Sequence, residues 1–543
     1  MVYKTSFNAH TKIWSGKKVN PIYNPEVSLG QIIHRTLQVN PNNVIQINHT
    51  ENVSLTSNNV FKLSSRIALS LMKKNITQSD VVGIIATNTS TVMPLCFGCL
   101  FVGVPIHPLD VHFNKESIVH SWRKTKPKII FAEGNMYNIV KEAVEVLQLN
   151  SLIFTLNDHL ENVQSIDDLL TPNENDENTF QPVAIKSGNE TAAIFCSSGT
   201  TGLPKAVCVS HRSLLENTLR FEDNVNDIIL YFIPIFWGTS YLGLLNAGIT
   251  GTTRLAFNQD FTPELGLHLI DQYQATKMFL PSPLIIQMCN SLDIQTKSIH
   301  SLKTIYCGGT RLSPETRKNI RQYLTPSCMI EYGYGCTEIG TIAVSRSDEN
   351  PSSNGYLCDN VEVKIVSGEG ESLRPFEDGE IYMRNGMPWN GYFGDLKSTL
   401  DIYDQEEMWC RTGDLGHFDD QGHLYVVDRI KDILKTRGFQ FSANEVEDVI
   451  MEVEDVKEVF VVGLHDEILV DVPGALVVRK KGSNLKESDV EAYISAKTPF
   501  YKHVTERVFF VENLPRNSAG KVVRRLAKDI CEKLYKEKLN LGK

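Results

Sequence analysis

Nine residues stand out for their chemistry: Ser197-Ser198-Gly199-Thr200-Thr201-Gly202-Leu203-Pro204-Lys205. They supply four hydroxyls, two glycines and a terminal lysine. Such a loop can wrap a polyphosphate: glycines let backbone N–H groups turn toward the anion, and hydroxyls and ammonium add donors and charge. It is not a Walker A loop, because the order G-x-x-x-x-G-K-[ST] is absent. Thr191-Ala-Ala-Ile-Phe195 before it and Ala206-Val-Cys-Val209 after it are short apolar β-prone runs. The loop is therefore expected to join two strands.

The elements around that loop must come from more than one core, because 543 residues exceed what a single domain usually holds. Short apolar strands alternate with longer helical patterns, which points to parallel α/β layers. The stretch Thr171–Asn178 is expected to be a surface loop. Asp428-Arg429-Ile430-Lys431, following the strand-like Leu424–Val427, is the best boundary, giving expected domains at 1–428 and 429–543. Beyond it, Ser442 with Glu445 and Ser488 with Glu491 read as capping boxes opening two helices. A net charge of −10, from 54 basic and 64 acidic residues, argues against nucleic acid as the main partner. Eleven scattered cysteines fit a reduced intracellular setting. Cys96 and Cys99 form a CxxC inside an apolar run and read as buried thiols. The N-terminus has no apolar signal-peptide core, and the run from Val92 to Pro108 is too short and too broken to span a bilayer, so it should pack against the strand Val81–Ala86. The tail Leu541-Gly542-Lys543 is not an S-K-L address, so cytosol is expected even though the peroxisome is possible for the family named next.

The run SSGTTGLPKAV resembles the signature of the adenylate-forming superfamily, which comprises acyl- and aryl-CoA synthetases, beetle luciferases and peptide-synthetase adenylation domains. Further blocks follow in the family's order, and the resemblance covers essentially the full length. It implies an α/β fold: a large N-terminal domain of two α/β layered subdomains plus a small β-barrel, with a mobile α+β C-terminal domain. It also implies a reaction in which a carboxylate attacks the α-phosphate of ATP, so two anions must be held in line and neutralised.

The blocks then acquire roles by resemblance. Ser197, Ser198, Gly199, Thr200, Thr201, Gly202 and Lys205 would bind ATP phosphates, with Gly308 and Gly309. In Tyr332-Gly333-Tyr334-Gly335-Cys336-Thr337-Glu338, Tyr334 and Gly335 would lie against adenine, Thr337 would contact phosphate and Glu338 would help hold Mg²⁺. Asp414 would accept from the ribose diol with Arg429 supporting it; taken singly, Asp414 before Leu415-Gly416 would be a turn residue. Lys521, in Asn517-Ser518-Ala519-Gly520-Lys521, matches the adenylation lysine. Lys431 would sit at the hinge, and Lys435, Arg437 and Gly438 would contact coenzyme A after a rotation of the small domain.

One position departs from the pattern. Family members often carry a histidine where this chain has Trp237, and an indole cannot transfer a proton. No residue from Phe232 to Leu242 is acidic, which argues against an amino-acid substrate. The acid pocket is expected to be walled by Trp237, Gly308, Gly309, Thr310, Cys336 and Ile339, suiting a fatty or aryl acid. The leading expectation is an AMP-forming acid–CoA ligase using ATP, Mg²⁺ and CoA. The alternatives are a luciferase-type monooxygenase, for which Trp237 is unfavourable, and a nucleotide-binding pseudoenzyme.

Overall fold

Short β-branched and aliphatic runs separated by amphipathic helices assemble into three sheets plus a fourth near the C-terminus. The computed structural model describes residues 4–541 except 172–173, 198–203, 310–311, 313, 347–349, 437–438, 467–469 and 518–519.

The largest sheet has nine strands, and its centre is parallel: Met329–Cys336, Thr304–Gly308, Lys277–Phe279, Ile228–Tyr231, Thr253–Ala256 and Val44–Asn48. A second sheet runs Ala206–Ser210, Thr191–Cys196, Ile106–Leu109, Val82–Ile85, Ile129–Ala132 and Leu152–Thr155. Its edge pair, Thr191–Cys196 with Ala206–Ser210, is antiparallel, so the Ser197–Lys205 loop does join two strands. Helix Val92–Val102 is buried along its whole length against this core, as expected for a segment apolar on every face. Cys96 and Cys99 lie inside it, and burial pushes the Cys96 thiol up to about 12, which leaves it unreactive.

The third sheet is all antiparallel, from Ser6–Asn8 through Ile13–Ser15, Glu362–Val366, Gly379–Arg384 and Cys410–Phe418 to Leu424–Arg429. A small barrel was expected here; among the described residues the two outer strands do not pair, and the sheet stays open. After a 3₁₀ turn at Ile430–Asp432 the chain enters a five-stranded sheet built only from residues 433 onward, backed by helices Ala443–Met451, Glu487–Lys497 and Arg524–Leu541. No helix among the described residues is long and apolar enough to cross a membrane.

Two local expectations need correction. Residues Glu174–Thr179 form a helix rather than a loop, because Glu177, itself fully buried, turns inward to an ion pair with the half-buried Arg66. The capping box at Ser442 and Glu445 is present, but the second helix starts at Glu487, before Ser488. There the Asp489 carboxylate accepts from the Lys486 N–H at 2.9 Å, while Glu491 accepts from the Glu506 N–H. The acidic residue two positions earlier wins the cap.

Candidate active site

The carboxyl ends of parallel strands are where open α/β sheets leave a crevice. Here strands Thr304–Gly308 and Met329–Cys336 end beside the 197–205 loop, with the ends of Cys410–Phe418 and Leu424–Arg429 facing them. Between them lies a cavity of about 690 Å³. Of the expected residues, Ser197, Lys205, Trp237, Gly308, Gly309, Tyr334, Gly335, Cys336, Thr337, Glu338, Arg429, Lys431 and Lys521 all line it. Asp414 sits just behind, joined to two of them. Ser198, Gly199, Thr200, Thr201, Gly202, Thr310, Arg437 and Gly438 lie outside the described residues, as does the side chain of Lys435. Ile339 does not reach the cavity: the hairpin between Met329–Cys336 and Gly340–Ser345 turns it into the main core, where it is 4% exposed.

The loop closes on itself at its base. Ser197 N–H donates to the Lys205 carbonyl at 2.8 Å, and Lys205 N–H donates to Ser197 Oγ at 3.1 Å. The Lys205 ammonium rests over the Tyr392 ring, 4.7 Å from its centroid. Tyr392 Oη in turn donates to Glu338 Oε1 at 2.8 Å. Tyr392 was not singled out from the sequence; it lies in Trp389-Asn390-Gly391-Tyr392, an aromatic-and-glycine run that resembles any turn.

Asp414 is 5% exposed and uses both oxygens. Oδ2 accepts from Tyr334 Oη at 2.6 Å, and Oδ1 pairs with Arg429 Nε at 2.6 Å. Burial raises its pKa above the usual carboxylate range, against the pull of Arg429, Tyr334 and Lys521. Burial also pushes the Tyr334 hydroxyl well up, reinforced by Asp414, so it stays a donor. Each oxygen keeps a second lone pair for a ribose hydroxyl.

Lys521 enters from the C-terminal sheet on a turn shaped by Gly520, whose φ of 77° lies in the left-handed region. The turn is pinned by the Lys521 N–H to Asn517 Oδ1 at 2.9 Å and by Arg516 Nη1 to the Gly520 carbonyl at 2.6 Å. A methyl group on Gly520 would sit 3.5 Å from Leu284 of helix Ser282–Cys289, so the turn packs directly on the large sheet's helical layer. Burial lowers the Lys521 pKa, as do Arg429 and Arg524, while Asp414 and Asp432 oppose them.

Deeper in the cavity the sheet face matters. Gly308 pairs with Gly333, and two residues back on the same strands Tyr306 pairs with Glu331. Alternation puts all four on one face, with the glycine pair about 7 Å nearer the mouth. A methyl group on Gly308 would stand 2.8 Å from the Gly333 carbonyl oxygen, so the glycines keep the shaft open above Tyr306 and Glu331. Phe221 and Phe279 flank it. Glu331 is 8% exposed and pairs with Arg346 at 2.7 Å; burial raises its pKa. Arg220, also lining the cavity, donates to the carbonyls of Thr341 at 3.1 Å and Asp359 at 3.4 Å. Trp237 lies nearer the top, its indole 3.7 Å from where a methyl group on Gly309 would stand.

No cluster of three or more His, Cys, Asp or Glu suited to a metal occurs among the described residues. A single carboxylate, Glu338, beside a phosphate-type loop fits Mg²⁺ carried in by a nucleotide, since that ion keeps several waters and takes one or two protein carboxylates.

Comparison with known proteins gives the family. Residues 33–393 match the AMP-binding enzyme family and residues 445–521 its AMP-binding enzyme C-terminal domain. The chain belongs to the AMP-binding enzyme family. Within this adenylate-forming family, 4-coumarate–CoA ligase 3 of Arabidopsis thaliana is 30% identical over 500 residues, covering 89% of this chain and 87% of the relative. Luciferin 4-monooxygenase of Photuris pensylvanica is 27% identical over 496 residues, 88% and 90% of the two chains. ATP-bound MatB from Rhodopseudomonas palustris shares the fold, with a TM-score of 0.84 and 20% identity over 94% of this chain and 100% of that one.

Proposed function

We propose that this member of the AMP-binding enzyme family is an ATP-dependent acid–CoA ligase, with its two lobes divided at residues 428–431. The observation that carries the reading is the Lys521 ammonium lining the same cavity as Lys205, Thr337 and Glu338, within electrostatic reach of Asp414 and Arg429. In the first step a carboxylate oxygen forms a bond to the α-phosphorus of ATP. The bridging P–O bond breaks and its electron pair leaves with pyrophosphate. Lys521 screens the approaching anions, Lys205 and the loop hold the departing phosphates, and Asp414 with Arg429 fixes the ribose. Glu338 would hold Mg²⁺, which would neutralise phosphate charge, and Thr337 would contact a phosphate oxygen. In the second step the CoA sulfur, having lost its proton, bonds to the acyl carbon and AMP departs with the C–O bond pair. Lys435, Arg437 and Gly438 are the residues we assign to CoA.

The acid is read from the shaft. Its walls are aromatic, and its floor presents Glu331 and Arg220. An alkyl tail there would add no bond to either group, each of which already has protein partners: Arg346 for Glu331, and the Thr341 and Asp359 carbonyls for Arg220. A hydroxyl on a ring could donate to Glu331 and accept from Arg220. The reading is therefore an aryl acid with a distal hydroxyl. Luciferin oxidation is the competing reading, since one relative is a luciferin monooxygenase; Trp237, which offers no proton to transfer, counts against it.

The test is a coupled pyrophosphate assay across fatty, plain aryl and hydroxyaryl acids, with and without CoA. CoA-dependent turnover highest for hydroxyaryl acids supports the proposal. No pyrophosphate release with any acid refutes ligation, and light emission with ATP and luciferin favours the monooxygenase.

A further inference from the structure

Asp428 is the last residue but one of the strand Leu424–Arg429 and is 5% exposed. Its Oδ2 accepts from Ser442 Oγ, which caps helix Ala443–Met451. Its Oδ1 accepts the Arg429 N–H at 2.7 Å and stands 3.8 Å from Arg524 Nη2. Arg524 is the first residue of the helix Arg524–Leu541. One carboxylate from the six-stranded sheet thus meets the positive ends of two helices belonging to the C-terminal lobe. Arg524 also pairs through Nε with Asp432 at 3.1 Å, and its guanidinium lies over Phe460, 5.0 Å from the ring centroid.

Asp428 precedes and Asp432 closes the Ile430–Asp432 turn, through which the chain passes from one sheet to the other. Any twist of that turn must part Asp428 from Arg524, whereas Asp432 travels with the C-terminal lobe. Lys521 lies three residues before Arg524, on the turn leading into the same helix. A planar fork is suited to span two carboxylates, as an ammonium is not. We propose that Arg524 is a positioning residue that bridges Asp428 and Asp432, locks the 430–432 turn and so holds Lys521 in the cavity for adenylation. The kinetic side of this rests on the two-step reading above; the structural side does not.

Two measurements on the full-length chain test it with Arg524→Gln and Arg524→Lys. In the first, ATP–pyrophosphate exchange and thioester formation from a preformed acyl-adenylate are followed separately. Arg524→Gln should slow exchange about 10- to 100-fold, the scale of a lost charge-assisted contact, while changing thioester formation less than about 3-fold. Arg524→Lys should recover part of the exchange. Equal losses in both half-reactions would mark Arg524 as merely structural and overturn the proposal. In the second, spin labels at the exposed Asn290 and Lys528 report the distance between lobes without any substrate. The distribution should broaden in Arg524→Gln, and an unchanged distribution in a folded variant overturns the proposal. If the unaltered protein exchanges pyrophosphate with no acid, ligation fails while this second measurement still decides the bridge.

Discussion

Replacing Asp414 with asparagine separates charge from shape at the nucleotide end of the cavity. The carboxylate takes one hydrogen bond of 2.6 Å from Tyr334 Oη and one contact of 2.6 Å from Arg429 Nε. Arg429 can only donate, so the new amide must give it the oxygen and turn its NH₂ to Tyr334, whose hydroxyl can rotate to accept. Both contacts survive and the charge is lost. Arg429 is 40% exposed on its side chain, so the weakened pair should cost stability only about 1–2 kcal/mol. The ribose loses a charged acceptor, at about 1.5–3 kcal/mol, and kcat/KM for ATP should fall roughly 10- to 150-fold. Asp414 also raises the pKa of Lys521, whose protonated form does the screening. Without that carboxylate the ammonium is lost at a lower pH, so the alkaline limb of the adenylation profile should move downward. Urea unfolding, ATP titration of pyrophosphate exchange and a pH series measure the three effects. Reduced stability with unchanged ATP kinetics would show a purely structural carboxylate and refute the ribose assignment.

Other outcomes follow from the same geometry. Lys521→Ala should lower adenylation by about 10²–10³-fold yet leave thioester formation from a preformed adenylate largely intact; equal loss would contradict the division of roles. Glu338→Gln should raise the Mg²⁺ concentration needed for half-maximal exchange by roughly tenfold, and a titration like that of the unaltered protein would count against metal binding there. Burial raises the Glu447 carboxyl to about 7 from the ordinary 4.5, and its oxygen accepts the Val461 N–H at 2.8 Å. Because the folded pKa is the higher one, the contribution is full below 4.5 and is lost as pH rises through about 7. Glu447→Gln, which mimics the protonated form, should match the unaltered protein near pH 5 and exceed its stability near pH 8 by about 1–3 kcal/mol. Parallel pH–stability curves would dispose of that assignment.

The blocks near residues 197, 334, 414 and 521 were legible because their chemistry is local: each motif carries its own turn, glycines and polar groups. The same holds for the strands flanking the 197–205 loop, whose apolar runs announce them. What escaped is what only tertiary register creates. Tyr306 and Glu331 come from two strands and Arg220 from a turn, and nothing in their neighbours signals that they share a floor. Tyr392 matters because a chain passing beneath the loop lays its ring under Lys205. Ile339 is apolar and was expected in the pocket wall, but a hairpin reverses the direction a side chain faces within three residues of Cys336. The Glu174–Thr179 helix was obscured because its polar composition gives no apolar stripe, and its order depends on Arg66, a hundred residues upstream.

The paired glycines at 308 and 333 carry a consequence for how such a protein changes diet. Depth in this chamber is governed by two missing side chains. One added methyl at Gly333, where the nearest atoms stand 3.9 Å away, would raise the chamber's effective bottom, whereas one at Gly308 would press on the neighbouring strand. Descendants of this chain could thus exchange long guests for short ones in a single mutational step.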